Sequence, residues 1–442
     1  MNQQRQLTDV TGGFLGLANL AKLRANPFGF LMGLAESQGG IAYFKFGPIA
    51  DIYLVTEPEY IREVLVKQWT KTIKWERLTQ ASDRVAKFNI VFLEGAVWRS
   101  QRKLLTPAFH TERVQDYLNL MKTHTLKLTQ RWKSDQVYDI KHEMTGLTMG
   151  IIGEILFGIQ DIEREAAPLS QAIDTLLSQF VIDAWSLVVM PKWLPSERNK
   201  RERHAKETLV SYLQDVIQSR RKEDADRGDV LSALLLASDA ETGESLTDEQ
   251  IGDELYSLFV AGHETTALWL SWGLYLLAKH PATQDQLHDE IISSSGEIPL
   301  LDHVLKEALR MYPPAWSLFM RRVVEDIQVG THTIPKGGVI YISPYIQHHL
   351  PKFWENPDEF APSRFEGDWK AKYPAYTYMP FGGGPRVCIG SYLAEIEAKV
   401  ILQIILRHYQ VLLDDPNQSV LMDGGFTLRP YPGLNLRVRE RI

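Results

Sequence analysis

The only cysteine in this chain of 442 residues lies in the stretch Phe381-Gly-Gly-Gly-Pro-Arg386-Val-Cys388-Ile-Gly390. A lone thiol can form neither an internal disulfide nor a zinc or iron–sulfur site made of several cysteines. The glycines permit tight turns, and the segment 389–410 that follows has the apolar stripe of a helix. Cys388 is therefore predicted at a helix N-terminus, where the helix dipole lowers the pKa of a thiol. This setting suits a single thiolate ligand to a metal held by a larger cofactor, whereas most lone cysteines are small buried hydrophobes.

The cysteine loop resembles the haem-binding loop of the cytochromes P450. It matches Phe-x-x-Gly-x-Arg-x-Cys-x-Gly at every fixed position. The resemblance implies haem b (iron protoporphyrin IX) as the cofactor, with Cys388 as the axial ligand of the iron. It also implies that Phe381 packs against the ring and that Arg386 faces a haem propionate.

A long apolar segment carries a polar interruption, Ala261-Gly262-His263-Glu264-Thr265-Thr266. The sequence from Thr247 to Gln250 has the pattern of a capping box and predicts a helix from there to about Lys279, roughly 32 residues. A buried acid and buried hydroxyls in such a helix need a reason, because burying polar groups costs free energy. The interruption is thus a candidate site.

This interruption resembles the P450 oxygen-activation motif. The resemblance implies that Glu264, Thr265 and Thr266 are catalytic and relay protons, and that Ala261 borders the haem. Gly262 would let the helix approach the haem, and the Thr265 hydroxyl would bond to the carbonyl of Ala261. His263 stands at the family's variable position and is interpreted as packing or polar support.

Three further residues form a predicted charged triad. Glu307 and Arg310 are three residues apart in a predicted helix, 301–311, and such ion pairs are common on helix surfaces. The segment containing Pro362-Ser-Arg364-Phe365 resembles the P450 loop that donates a second arginine. The resemblance implies a buried structural triad of Glu307, Arg310 and Arg364.

Two motifs resemble family segments that bind the haem propionates. Trp98 and Arg102 are four residues apart and share one face of a predicted helix. Downstream, Arg321 is preferred as a propionate ligand because of its spacing to Asp326, and Arg322 remains its competitor. The fork of arginine suits carboxylates.

Composition limits the remaining possibilities. The net charge of −7 gives no polybasic case for nucleic acid, and phosphate-binding glycine loops are absent from the sequence. The chain start carries no uncharged apolar run of about 18 residues, so we expect no membrane anchor and a soluble, cytoplasmic, bacterial protein. The fold class predicted is mainly α with small β-sheets (α+β), in a single P450 catalytic domain over residues 1–442. In that fold the haem lies between the long central helix and the cysteine-loop helix.

The resemblance implies a monooxygenase that activates O₂ to hydroxylate or epoxidise a lipophilic small molecule, such as a fatty acid or terpenoid. Electrons would come from a separate ferredoxin or flavodoxin with an NAD(P)H-dependent reductase, docking near Arg99, Lys103 and Arg386 of a monomeric protein. By family position, the pocket is lined from 75–94, 175–190, Phe259 and Val260, 314–319 and 425–427. The alternatives are a haem-thiolate peroxygenase or isomerase of the same fold, or a haem-based gas sensor.

Overall fold

The computed structural model describes residues 16–159, 167–186, 190–191, 193–223, 226–237, 243, 245–294, 296–418 and 420–441. These residues form two compact units. Unit 1 comprises the described parts of Met1–Gln80, Ala184–Val189 and Lys306–Cys388, and unit 2 those of Ala81–Asp183, Met190–Leu305 and Ile389–Ile442. The prediction of one domain over residues 1–442 stays a prediction.

Helices make up most of the described chain, as predicted. They are α1 (Leu17–Ala25), α2 (Pro27–Gln38), α3 (Pro58–Arg62), α4 (Glu76–Ser82), α5 (Gly95–Leu105), α6 (Thr111–Asp116), α7 (Leu118–Arg131), α8 (Ile140–Phe157), α9 (Ala167–Trp185), α10 (Glu197–Glu223), α11 (Val230–Leu236), α12 (Asp248–Lys279), α13 (Pro281–Ser293), α14 (Pro299–Met311), α15 (Pro344–His349), α16 (Trp369–Lys372) and α17 (Ser391–His408). Within the described ranges, none of these helices combines the length and the hydropathy needed to cross a bilayer.

The strands are short and form small sheets. They are β1 (Ile41–Phe46), β2 (Ala50–Val55), β3 (Thr72–Lys74), β4 (Gln136–Asp139), β5 (Arg321–Val323), β6 (Ile327–Val329), β7 (His332–Ile334), β8 (Val339–Tyr341), β9 (Tyr409–Leu413), β10 (Leu421–Gly424), β11 (Leu428–Tyr431) and β12 (Asn435–Glu440). Unit 1 holds a sheet in the order β1-β2-β8-β5-β3 and the pair β6-β7, and unit 2 holds the sheet β4-β12-β9 and the hairpin β10-β11.

The core of unit 1 lies against its five-stranded sheet. The apolar runs 41–46 and 51–55, separated by Gly47-Pro48, predict a hairpin, and β1 and β2 form it with Ile41 opposite Val55 and Phe46 opposite Ala50. The last four residues of β2 are all buried and only Lys45 is exposed in β1, so this part of the sheet is covered on both faces, one of which carries Ile41 and Val55. The cluster on that face includes Ile41, Val55, Ile61 and Ile340, none more than 2% exposed.

The core of unit 2 is organised by α12. Its start is fixed by the predicted capping box: the Thr247 hydroxyl accepts from the Gln250 N–H, and the Gln250 side chain accepts from the Thr247 N–H. The helix then runs 32 residues and ends at Lys279, as predicted. Its second half is apolar and buried on nearly all sides, with Trp272 fully buried. Such an all-round apolar helix is stable only inside a core.

The sequence predicts short strands in 334–342, and the structure has β7 ending at Ile334 and β8 over Val339–Tyr341, with Gly337, at φ +91°, turning the chain between them. One local prediction was wrong. The charged run over residues 197–203 predicts a solvated helix start, yet Glu202 is only 6% exposed. Its carboxylate faces Arg84, a buried partner far along the chain that no local pattern indicates.

Candidate functional site

The cysteine loop of unit 1 is a tight turn. The Cys388 N–H donates to the Phe381 carbonyl at 3.0 Å, and the Val387 N–H donates to the Gly384 carbonyl at 3.1 Å. Gly384 has φ +67°, and a Cβ there would lie 2.1 Å from the backbone oxygen of Leu65. Only glycine fits a position that combines a left-handed backbone with such close approach.

The residues of this loop fit a haem held through a thiolate. Cys388 is exposed, so it is accessible to a ligand, and the turn that presents it is held in place where Gly383 and Gly384 pack closely against Tyr376 and Leu65. Phe381 and Arg386 are both partly buried in the same loop. When bound, a haem iron with an axial thiolate supplies the activation of O₂.

The two candidate propionate arginines of β5, Arg321 and Arg322, lie on opposite faces of the strand, because side chains alternate along it. Arg322 is bound by other groups: its Nε donates to Glu76 at 3.0 Å, and its Nη1 donates to the Gly337 carbonyl. Arg321 lies on the other face and is 6% exposed. Arg321 is thus the more deeply buried of the two, since the Arg322 side chain is 24% exposed, and the preference for Arg321 as a propionate ligand stays a prediction.

The structure brings the predicted triad together inside unit 1. Arg310 donates to both oxygens of Glu307, at 2.7 and 2.9 Å, and Arg364 donates to the same carboxylate at 3.2 Å. Glu307 and Arg310 are fully buried. The Ala361 N–H adds a fourth hydrogen bond to Glu307, at 2.9 Å, and Arg310 also binds the carbonyl of His348. This carboxylate thus joins α14 to the loop around residue 361.

In unit 2, the polar segment of α12 shows the expected hydroxyl contact. The Thr265 hydroxyl donates to the Ala261 carbonyl at 2.7 Å. His263 is buried, and its Nδ1 lies 2.7 Å from the Phe259 carbonyl. Burial is the main cause that lowers the pKa of His263. Its packing against Phe259 agrees with the structural interpretation of this histidine.

Gly262 permits a close approach between helices. A Cβ on Gly262 would lie 2.8 Å from Cγ1 of Ile152, on α8. The glycine was expected to give the helix access to the haem, and what it faces here is a neighbouring helix. Thr266 is 2% exposed and belongs to the buried side of α12.

Glu264 has partners that the sequence analysis missed. Its Oε1 accepts from the Thr427 hydroxyl at 3.1 Å and from Nη2 of Arg429. Thr427 belongs to the predicted pocket segment 425–427, and Arg429 lies two residues later, on β11. No local pattern indicates the contact between Arg429 and Glu264, because the two residues are 165 positions apart in the chain.

Trp98 and Arg102 lie on α5 of unit 2, where Trp98 is 5% exposed and Arg102 is partly buried. Between them, Gln101 donates to the buried Glu254 at 3.2 Å. The Ile90 N–H donates to the same carboxylate at 3.0 Å. Burial raises the pKa of Glu254 to about 8.

Three predicted pocket segments of unit 2 meet through aromatic rings. The ring of Phe180 on α9 lies 5.9 Å from that of Phe92 and 5.3 Å from that of Phe426. Within the 175–190 segment, residues 187–189 lie outside the described residues. The rings form an apolar surface immediately before Thr427, which holds Glu264.

Comparisons with known proteins identify the family of the chain. A family model described as Cytochrome P450 matches residues 12–436. The chain is 31% identical to cyclooctatin synthase of Streptomyces melanosporofaciens, over 98% of this chain and 92% of that protein. It is 30% identical to cyclooctat-9-en-7-ol 5-monooxygenase of the same organism, over 95% and 89%. The crystal structure of the cytochrome P450DA heme domain superposes with a TM-score of 0.84 at 24% identity, covering 99% of this chain and 97% of that chain, which shows the fold.

Proposed function

We propose that this chain, which belongs to the cytochrome P450 family and is one of its monooxygenases, oxidises a terpenoid. One oxygen atom of O₂ would enter a C–H or C=C bond of this lipophilic molecule. Relatives named for cyclooctatin chemistry support a terpenoid over a fatty acid.

This proposal rests on the aromatic surface of Phe92, Phe180 and Phe426, which adjoins Thr427, a hydrogen-bond donor to Glu264 of α12. Phe426 packs edge-on against Phe180, and the next residue, Thr427, donates to Glu264. An apolar molecule against these rings would lie beside the group proposed to move protons. Binding sites are typically lined in this way, by apolar side chains with a few placed polar groups.

The proposed roles of the site residues follow the family motifs. Cys388 would bind the iron of haem b, and Phe381 would pack against the ring. The proposed propionate partners are Trp98, Arg102, Arg321 and Arg386. Glu264, Thr265 and Thr266 would hold and move protons beside the Ala261 carbonyl.

Electrons are proposed to come from a ferredoxin or flavodoxin served by an NAD(P)H-dependent reductase. Arg99 and Lys103 are exposed on α5 and offer positive charge to such an acidic partner. Electrostatic attraction of the redox partner to these residues would weaken as the salt concentration rises, because interactions between exposed charges are screened beyond about 10 Å at 0.1 M salt.

A two-step experiment tests this function. The haem-loaded protein is first screened for spectral shifts with terpenoids, including cyclooctat-9-en-7-ol, and with fatty acids. The best compound is then turned over with NADPH, a ferredoxin and its reductase under ¹⁸O₂. We expect one ¹⁸O atom in the product. An unlabelled isomerised product would contradict the proposal, and so would turnover that requires hydrogen peroxide and fails with O₂ and NADPH. Spectral shifts confined to fatty acids would overturn the assignment of a terpenoid substrate.

A further inference from the structure

Glu264 of α12 is hydrogen-bonded through one of its two carboxylate oxygens only, in the part of the chain that the structure describes. Both donors to Glu264, Thr427 and Arg429, reach its Oε1. Its Oε2 is buried and has no hydrogen-bond partner in the described part of the chain. A buried polar atom without a partner costs free energy, so its retention in this position needs a reason.

The donors come from one rigid hairpin. Arg429 pairs with Asp423 across β10 and β11, and Thr427 lies in the turn just before β11. The Arg429 Nε also donates to the Thr427 hydroxyl at 3.1 Å, so the two donors orient each other. Nε1 of Trp272, on α12, donates to the Leu428 carbonyl at 3.0 Å and fixes the hairpin to the helix.

We propose that Arg429 is a positioning residue: with Thr427, it fixes one oxygen of Glu264 so that only Oε2 takes part in proton transfer. This inference rests on the proposed function, in which Glu264 moves protons. A carboxylate with one oxygen bound to a guanidinium cannot rotate freely, because rotation would break a charge-assisted hydrogen bond. Arg429 has a side chain that is 25% exposed and Glu264 one that is 11% exposed, so water only partly screens the pair.

A double-mutant cycle tests the contact itself. Arg429→Met, Glu264→Gln and the double variant are unfolded in urea as haem-loaded proteins. We expect a coupling of at least tenfold in the unfolding equilibrium constant. The control cycle uses Arg439→Met and Asp135→Asn, an exposed pair 2.9 Å apart in the same unit, for which we expect less than threefold. Coupling below threefold for Arg429 and Glu264 would overturn the proposal.

Turnover then separates positioning from a purely structural role. Arg429→Met should lower product per NADPH at least fivefold and raise the solvent isotope effect on kcat at least twofold, with the spectral binding constant of the substrate unchanged. Arg429→Lys should restore most of the product. Equal product per NADPH in Arg429→Met and Arg439→Met would overturn the proposal even if the coupling is large. If Arg429→Met does not fold, Thr427→Val replaces it, because that change keeps the volume and removes both hydrogen bonds of the hydroxyl, the one to Glu264 and the one from Arg429.

Failure of the proposed function gives a different result. In that case the parent protein makes no ¹⁸O-labelled product from any compound of the screen. The double-mutant cycle needs no substrate, and it still decides whether Arg429 holds Glu264.

Discussion

At the scale of single residues, Cys388 is the candidate iron ligand, and its replacement gives the most direct test. We expect Cys388→Ala to abolish the red-shifted Soret band of the reduced, CO-bound protein, because that shift requires a thiolate opposite CO. The absorption spectrum measures it. Val387→Ala is the matched control, since Val387 is an exposed neighbour in the same loop and should leave the band in place. An unchanged band in Cys388→Ala would remove this residue as the ligand.

Thr265 allows a second residue-scale prediction. Its hydroxyl donates to a backbone carbonyl of its own helix, so Thr265→Ala should fold and keep haem. Product per NADPH should fall several-fold, because a hydroxyl proposed to move protons is lost. Ser271→Ala is a close control: Ser271 makes the same 2.7 Å hydrogen bond to Ala267, on the same helix. If both variants couple NADPH to product equally well, Thr265 has no special role.

Single residues also mark the limit of prediction from sequence. The hydrogen bond from Thr265 to Ala261 was predictable, because both residues lie one turn apart on one helix. The contact of Arg429 with Glu264 spans 165 residues, and nothing local to either residue indicates it. Local geometry can be deduced from spacing, whereas long-range pairing depends on how the whole unit packs.

At the scale of elements, the triad of Glu307, Arg310 and Arg364 predicts a large loss of stability. Glu307→Ala leaves two buried guanidinium groups without their carboxylate, and breaking a buried pair costs about 3–5 kcal/mol. We expect a loss of that size in the free energy of unfolding, measured in urea. Glu197→Ala is the control: it removes the exposed pair with Lys200, and exposed pairs contribute about 0.2–1 kcal/mol. Equal losses in the two variants would contradict a structural role for the triad.

Elements with strong local signals were predicted well. The capping box fixed the first turn of α12, and a proline at the first position fixed the start of α3. The burial of Glu202 was not predictable, because it depends on Arg84 from a distant segment. Boundaries follow caps and turns, whereas burial of a charged residue follows its partner.

At the scale of the whole molecule, buried titratable groups set the dependence of stability on pH. Burial raises the pKa of both Glu254 and Glu397 to about 8, from an ordinary value of 4.5. Burial, with the charge of Arg310, lowers the pKa of His349 to about 3, from 6.5. Below pH 6.5 the unfolded chain protonates this histidine and the folded chain does not, so stability falls as the solution becomes more acidic.

The two acids act in the opposite direction. Between pH 4.5 and 8 the folded protein keeps their protons while the unfolded chain has lost them, so stability falls as pH rises. Each acid contributes a slope of about 1.4 kcal/mol per pH unit in that window. From pH 6.5 to 8 the histidine no longer offsets this loss, and the free energy of unfolding should decline there.

Glu254→Gln isolates one of these contributions. Glutamine imitates the protonated acid and never ionises. Between pH 5 and 8 the free energy of unfolding of the variant should therefore fall less steeply with pH than that of the parent, by the contribution of about one proton. Its stability relative to the parent should improve as pH rises. Urea unfolding at pH 5, 6.5 and 8 measures this. Glu249→Gln, an exposed position on the same helix, should keep the slope of the parent. If Glu254→Gln also keeps that slope, Glu254 is ionised in the folded protein at neutral pH, and its burial beside Ile90 and Gln101 is compensated in another way.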